Sequence, residues 1–186
     1  MPGEVCFVRI LKRFLSFIAS RLFFFTLISA LLIISFYLAM NTANIWVLID
    51  DGLSARAAVV LMDGDSSELT KYFRQEFISQ DPVLQVGLSD GSPYKDYEIR
   101  GFDHRVKMVS VWSWPWENVA RAEIIESIPA IDGTIRSSRR EAALAAGGEA
   151  RLSPPEWAAS RYRVTLTRTA GRWMISNLQL IEQIEP

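Results

Sequence analysis

Residues 22–40 read LFFFTLISALLIISFYLAM, an apolar run without a charge, a glycine or a proline. At roughly 1.5 Å of rise per residue, a helix of this run is about 28 Å long, close to the roughly 30 Å hydrocarbon thickness of a bilayer. A soluble helix buries one stripe and keeps the rest polar. This run is apolar on every side, broken only by Thr26, Ser29 and Ser35, whose hydroxyls can bond back to helix carbonyls. The pattern predicts a transmembrane helix. Ahead of it, Leu11, Phe14, Leu15 and Ile18 recur at helical spacing, with Lys12, Arg13, Ser16 and Ser20 largely opposite. Residues 1–21 thus form a basic amphipathic lead-in suited to an anionic headgroup layer.

Beyond the run the pattern predicts three more helices. Residues 44–62 carry a stripe of Leu53, Ala57, Val60 and Leu61, with Gly52 as the one weak point. Gly64 is expected to stop that helix in the left-handed conformation. Asp65 with Glu68 resembles a capping box and opens a helix over 66–79 that presents Leu69, Tyr72, Phe73 and Phe77. Asp81-Pro82 starts a third, short helix that Gly87 ends.

From Tyr94 the period changes from 3.6 to 2. Strands are predicted at 95–100 and 105–112 around a bend at 101–104, and at 118–128 with Ala120, Ala122, Ile124 and Ile128 inward. Residues 134–155, basic, then Ala-rich, then Gly147-Gly148 and Pro154-Pro155, read as a flexible insertion with two helical turns in 138–146. The clearest strand is 161–167, with Tyr162, Val164 and Leu166 on one face. Ala170-Gly171 makes a turn, and 173–184 returns with a phase shift that predicts a bulge near Ser176-Asn177. Helices first, then strands joined by hairpins, make an α+β domain over 44–186 with helices on one face of an antiparallel sheet.

Charge orients the chain. Residues 1–43 carry Arg9, Lys12, Arg13 and Arg21 against Glu4 alone, while Asp50 and Asp51 follow the apolar run. The positive-inside rule puts the N-terminus in the cytoplasm and the domain outside, with Tyr37 and Trp46 at the outer interface. The apolar run exceeds the usual core of a secretory signal and no small-residue cleavage site follows it, so an uncleaved signal-anchor is expected. The remaining residues hold more Asp and Glu than Lys and Arg, which excludes the basic profile of a nucleic-acid-binding domain. The single cysteine, Cys6, precedes the anchor; it is read as an idle thiol rather than an acylation site.

The two N-terminal helices of the domain joined by GDSSELTKYF, and the closing hairpin RYRVTLTR…GRWMISNL, resemble the nuclear transport factor 2-like (cystatin-like) superfamily over about residues 53–184. The resemblance implies helices packed on a curved antiparallel sheet with a cone between them. The insertion at 134–155 departs from the compact pattern and leaves strand pairing there open. Some superfamily members use the cone for isomerase- or dehydratase-like catalysis. Others, when anchored, serve as scaffold subunits of secretion, conjugation or sporulation machines.

Cone catalysis needs a carboxylate or histidine base in an apolar pocket and a group to hold an oxyanion. His104, the only histidine, is read as a surface residue of the 101–104 bend, and Tyr94, Asp96 and Tyr97 as an exposed strand start. Glu123 and Glu126 fall on opposite strand faces; Glu126, beside Ile124 and Ile128, is read as lying at a sheet margin, since burial would demand a partner. No Ser/His/Asp set, phosphate-binding glycine loop or metal spacing stands out, so no catalytic residue and no cofactor is expected.

The candidate interaction surface is Trp112, Trp114 and Trp116, which share one face if the strand continues. It suits a partner protein, a glycan or the bilayer surface. The competing reading places Trp112 in the core, with Trp114 and Trp116 evenly balanced. Pro115 marks a strand exit. Arg136, Arg139 and Arg140 form a basic loop, read as solvated.

The function expected is a single-pass, anchored extracytoplasmic interaction or scaffold domain, partnered by membrane lipid and by another membrane or envelope protein or a second copy. The alternatives are a small-ligand sensor using the cone and, behind it, an isomerase- or dehydratase-like enzyme.

Overall fold

The structure is a computed structural model that describes residues 3–114 and 116–184, with side chains from Phe14 onward except at 146, 147 and 150. The side chains of Cys6, Arg9, Lys12 and Arg13, and the strand exit expected at Pro115, lie outside the described residues. The chain forms two units, residues 1–41 and 42–186.

Helix α1 spans Gly3–Met62. In the first unit its side chains from Phe14 to Tyr37 are all exposed, as an all-round apolar helix must be when it has no soluble core to join. The hydroxyl of Thr26 donates to the Leu22 carbonyl at 2.9 Å, and the Arg21 guanidinium lies 5.0 Å from the centre of the Phe17 ring. Among the described residues, α1 is the one helix long and apolar enough to cross a membrane, which makes it a candidate N-terminal anchor.

In the second unit the chain has α+β architecture. Ile45, Ile49, Leu53, Arg56, Ala57 and Val60 of α1 are buried at spacings of three and four residues. Gly52 is no weak point, because a β-carbon there would stand 3.1 Å from Ile175 Cδ1 and 3.1 Å from Tyr72 Cβ. The helix stops through Asp63, which takes the left-handed conformation (φ 52°) expected of Gly64.

The helix expected over 66–79 breaks in two. Asp65 caps a 3-10 turn, Ser66–Lys71, by accepting from the Ser67 amide at 2.8 Å, while Glu68 turns to Lys71 instead of completing a capping box. Phe73 is then extended and bridges Ile175, with Ile175 N donating to Tyr72 O at 2.8 Å and Arg74 N to Ile175 O at 2.9 Å. Helix α2, Gln75–Gln80, follows. Tertiary pairing overrides local propensity here, since a continuous helix would forfeit both bonds. Helix α3, Pro82–Gly87, starts as expected, with Asp81 accepting from the Val83 amide at 3.1 Å and proline in its first turn. Gly87 faces α1 so closely that a β-carbon would sit 2.9 Å from both Val60 methyls.

Four antiparallel strands, β1 Tyr97–Trp112, β2 Val119–Ile135, β3 Trp157–Thr169 and β4 Arg172–Gln183, pair in the order β1-β2-β3-β4 in a curved sheet. Two differences from the sequence reading matter. First, residues 101–104 are not a bend; they lie inside β1, whose curvature comes from register shifts at Ile99/Gly101, Asp103/Arg105 and Met108/Ser110. Second, β2 runs on to Ile135, so the expected insertion contributes strand before its 3-10 turn and helix α4, Arg140–Gly147. The bulge in β4 is where the phase shift put it: Asn177 faces Thr165 and Ile175 faces Leu166, leaving Ser176 as the extra residue. The hairpin turns on Ala170 and Gly171, both at positive φ.

One sheet face is the core. Ala120, Ala122, Ile124 and Ile128 of β2, and Tyr162, Val164 and Leu166 of β3, pack with α1 residues, Leu69, Phe73 and Leu84. On the other face Glu123 binds Arg161 at 3.0 Å and Arg163 at 3.1 Å, and those hydrogen bonds, from Arg163 and then Arg161, hold its carboxyl below the usual carboxylate range.

Candidate functional site

The alternation that buries Ala122, Ile124 and Ile128 also buries Glu126, which is 0 % exposed rather than marginal. Its burial is answered from two directions. Oε1 lies 3.2 Å from His104 Nε2, and Oε2 lies 4.0 Å from Arg56 Nη1. His104 is therefore no surface residue: its side chain is 6 % exposed, with Nδ1 3.9 Å from Asp50 Oδ1 on α1. Arg56, 2 % exposed and three residues beyond Leu53 on the buried stripe, donates from Nε to Asp81 Oδ2 at 2.6 Å and from Nη2 to Oδ1 at 3.1 Å. Asp81 is at the same time the N-cap of α3.

The network ties α1, the start of α3 and the β1–β2 pair together. Burial pulls the Arg56 pKa down, but the Asp81 hydrogen bonds and the charges of Asp81 and Glu126 outweigh it and leave it raised. Arg56 Nη1 and Glu126 Oε2 have no hydrogen-bond partner among the described residues, so the pair meets by charge alone. Burial, and secondly the Glu126 charge, raise the pKa of the neighbouring Tyr162 hydroxyl.

Tyr162 also forms part of an open groove of about 360 Å³ between α3 and β3. Val60, Val83, Val86 and the stacked rings of Tyr94 and Trp157, 6.3 Å apart, make it apolar; Ser160, Tyr162 and Gln183 are its polar points. Tyr94 is thus buried, not an exposed strand start, whereas Asp96 is exposed and pairs with Arg139 at 3.2 Å. Neither His104 nor Glu126 lines the groove.

No family model matches the chain, and no curated protein or solved structure matches it.

The third feature is the aromatic run. Trp112 is not core: it is 61 % exposed, and Trp116 is 71 % exposed. The reason is the register shift at Met108/Ser110. Val106 and Met108 pack on the core; with Val109 inserted the phase flips, so that Val111 packs inward and Trp112 points out. The strand stops at Trp112, so strand alternation does not govern the other two. Instead the rings stack on one another, Trp112 edge-on to Trp114 at 5.4 Å and Trp114 parallel to Trp116 at 5.0 Å.

The basic loop is less free than its composition suggests. Arg136 donates to the Tyr97 carbonyl at 3.4 Å and lies 3.9 Å from Asp63. Tyr37 and Trp46 are exposed on α1.

Two of these site residues were legible in principle. Glu126 falls in phase with the inward residues of β2, and Arg56 lies on the apolar stripe of α1. What no spacing announced is that His104 and Asp81 meet them.

Proposed function

We propose that this chain is a single-pass membrane protein whose extracytoplasmic domain, resembling the nuclear transport factor 2-like fold, works by interaction, as a subunit or scaffold of a membrane or envelope assembly. The all-round apolar segment and the charge asymmetry around it support the address and the orientation. The α+β order with a curved antiparallel sheet agrees with the resemblance at the level of shape, and the scaffold role of other anchored domains of that shape is an analogy.

The observation that carries the interaction reading is the outer edge of β1. Sixteen residues of strand lie at a sheet margin, with the apolar Val109 45 % exposed and the aromatic run beyond it. An edge of this length is a template for another chain unless it is covered. A photoreactive residue at Val109 in the full-length anchored protein is expected to give a discrete protein adduct in cells, read by mass spectrometry. An adduct with another protein identifies the partner, and one with a second copy assigns an edge-to-edge oligomer. If illumination yields no protein adduct, the edge is not an interaction surface.

A second reading has its own observation. With Trp112 outside, nothing from the aromatic run fills the groove, and its size and lining suit a small apolar ligand with one hydrogen-bonding group for Ser160 or Tyr162. Val83→Trp is expected to fill it and to weaken binding of an apolar fluorescent probe about tenfold or more, roughly 1.4 kcal/mol. Unchanged binding would rule the groove out as the probe's site. An isomerase- or dehydratase-like activity has less support, since the His104–Glu126 pair does not line the groove.

A further inference from the structure

The aromatic run does not stand alone at its end of the sheet. Trp112 pairs with Arg121, Arg121 with Thr165, and Val119 with Thr167; the β3–β4 hairpin, closed by Thr169 and Arg172, lies one step further. This end therefore gathers the exposed Trp112, Trp116 and Val119 with the exposed Arg121 and Arg172. Arg168 lies here too, 4.3 Å from the centre of the Trp173 ring. Glu117 is the only acidic residue in 112–121 and 165–177. A recess of about 340 Å³, lined by Trp112, Glu117, Asn118, Val119 and Arg121, opens between the aromatic and basic groups. The opposite end of β1 is different in kind: its charges are paired, Asp63 with Arg136, Asp90 with Lys95 and Asp96 with Arg139, and no tryptophan lies among them.

The path of α1 through the domain relates these ends to the chain. Gly52 packs beside Ile175, whose strand partner Leu166 is one residue from Thr167 at the aromatic end. Asp63, eleven residues on, reaches Arg136 and the Tyr97 end of β1. From Gly52 to Asp63, helix α1 thus advances away from the aromatic end toward the Tyr97 end of β1.

We propose that the tryptophan- and arginine-bearing end of the domain is a docking surface for an anionic bilayer. Tryptophan rings favour the membrane–water interface, where an apolar body and a polar N–H are both accommodated. Arginines on the same face add attraction to anionic headgroups. A neutral protein or glycan gives the arginines nothing to neutralise. The docking goes beyond the interaction reading above, which concerns the outer edge of β1; each survives the failure of the other.

The test uses the full-length chain, carrying Cys6→Ser, reconstituted in phosphatidylcholine vesicles with or without phosphatidylglycerol. An environment-sensitive fluorophore is attached through Trp116→Cys or, at the other end, through Asp90→Cys, and headgroup-nitroxide lipids serve as quencher. The expected result is strong quenching at position 116 in the anionic vesicles and little at position 90. Arg121→Gln and Arg172→Gln, both exposed changes, are each expected to weaken the docked population about fivefold, and salt to do the same. Position 116 quenched no more than position 90 would overturn the proposal and leave the aromatic run open to a protein or glycan. Equal quenching with and without phosphatidylglycerol, unmoved by the arginine changes, would overturn its anionic character.

Discussion

Arg56→Met is expected to lower the stability of the domain by about 3–5 kcal/mol, the cost of breaking a buried ion pair by removing one partner. The reason lies in what remains. Asp81 and Glu126 stay buried, Asp81 losing two hydrogen bonds and Glu126 its nearest opposite charge. For a domain of this size the loss corresponds to a fall in melting temperature of about 10 °C or more, measured by near-ultraviolet circular dichroism on the detergent-solubilised full-length protein. The companion variant Arg56→Met/Asp81→Asn/Glu126→Gln is expected to recover much of the loss. It removes the uncompensated charges, while the asparagine introduced at position 81 can still cap α3, and neutral replacement of a whole buried network is often tolerated. Should Arg56→Met melt within about 1 kcal/mol of the parent, the network does not hold α1 to α3 and the sheet.

Phe73→Ala is expected to cost about 3–5 kcal/mol, the usual range for truncating a buried phenylalanine. Phe73 is fully buried, stacks on Phe77 with ring centres 5.1 Å apart and packs against the bare backbone of Gly52. It also holds an extended residue between two short helical pieces, where its neighbours exchange backbone hydrogen bonds with Ile175. The loss is read from the urea midpoint of the full-length protein. Hydrogen exchange at the Ile175 amide, which donates to Tyr72 O, is expected to accelerate with it. Phe73→Leu, which keeps most of the volume, is expected to restore most of both. A small loss with Ile175 exchange unchanged would mean that the bridge stands without the ring.

Both effects arise where distant parts of the chain meet, and this separates what could be read along the sequence from what could not. The candidate anchor is a local property: an unbroken apolar run of bilayer length is recognisable whatever follows it. The start of α3 at Asp81-Pro82, the Ala170-Gly171 hairpin and the bulge at Ser176 were equally legible, because capping, turn conformation and phase along one strand depend on near neighbours. So was the inward face of β2 and β3, whose alternation is clean.

The rest depended on partners far away in sequence. Residues 66–79 carry a good helical stripe, yet Phe73 leaves the helix because the edge of β4 offers its backbone a pairing. Residues 101–104 contain a glycine and two polar residues and read as a turn, yet β2 is long enough to pair with them, and that pairing carries His104 inward. Trp112 is in phase with the core-facing Val106 and Met108 until one unpaired residue at Val109 reverses the strand, a shift that composition does not reveal. Asp81 read as a helix start, His104 as a surface residue and Glu126 as lying at a sheet margin, and nothing local brought them to Arg56. Sequence by itself marked a candidate anchor, the helices-then-strands order of the domain and the closing hairpin. Only the tertiary structure decided which charges are buried together and which tryptophans face outward, because both follow from strand register and helix packing, which are set by contacts between segments rather than within them.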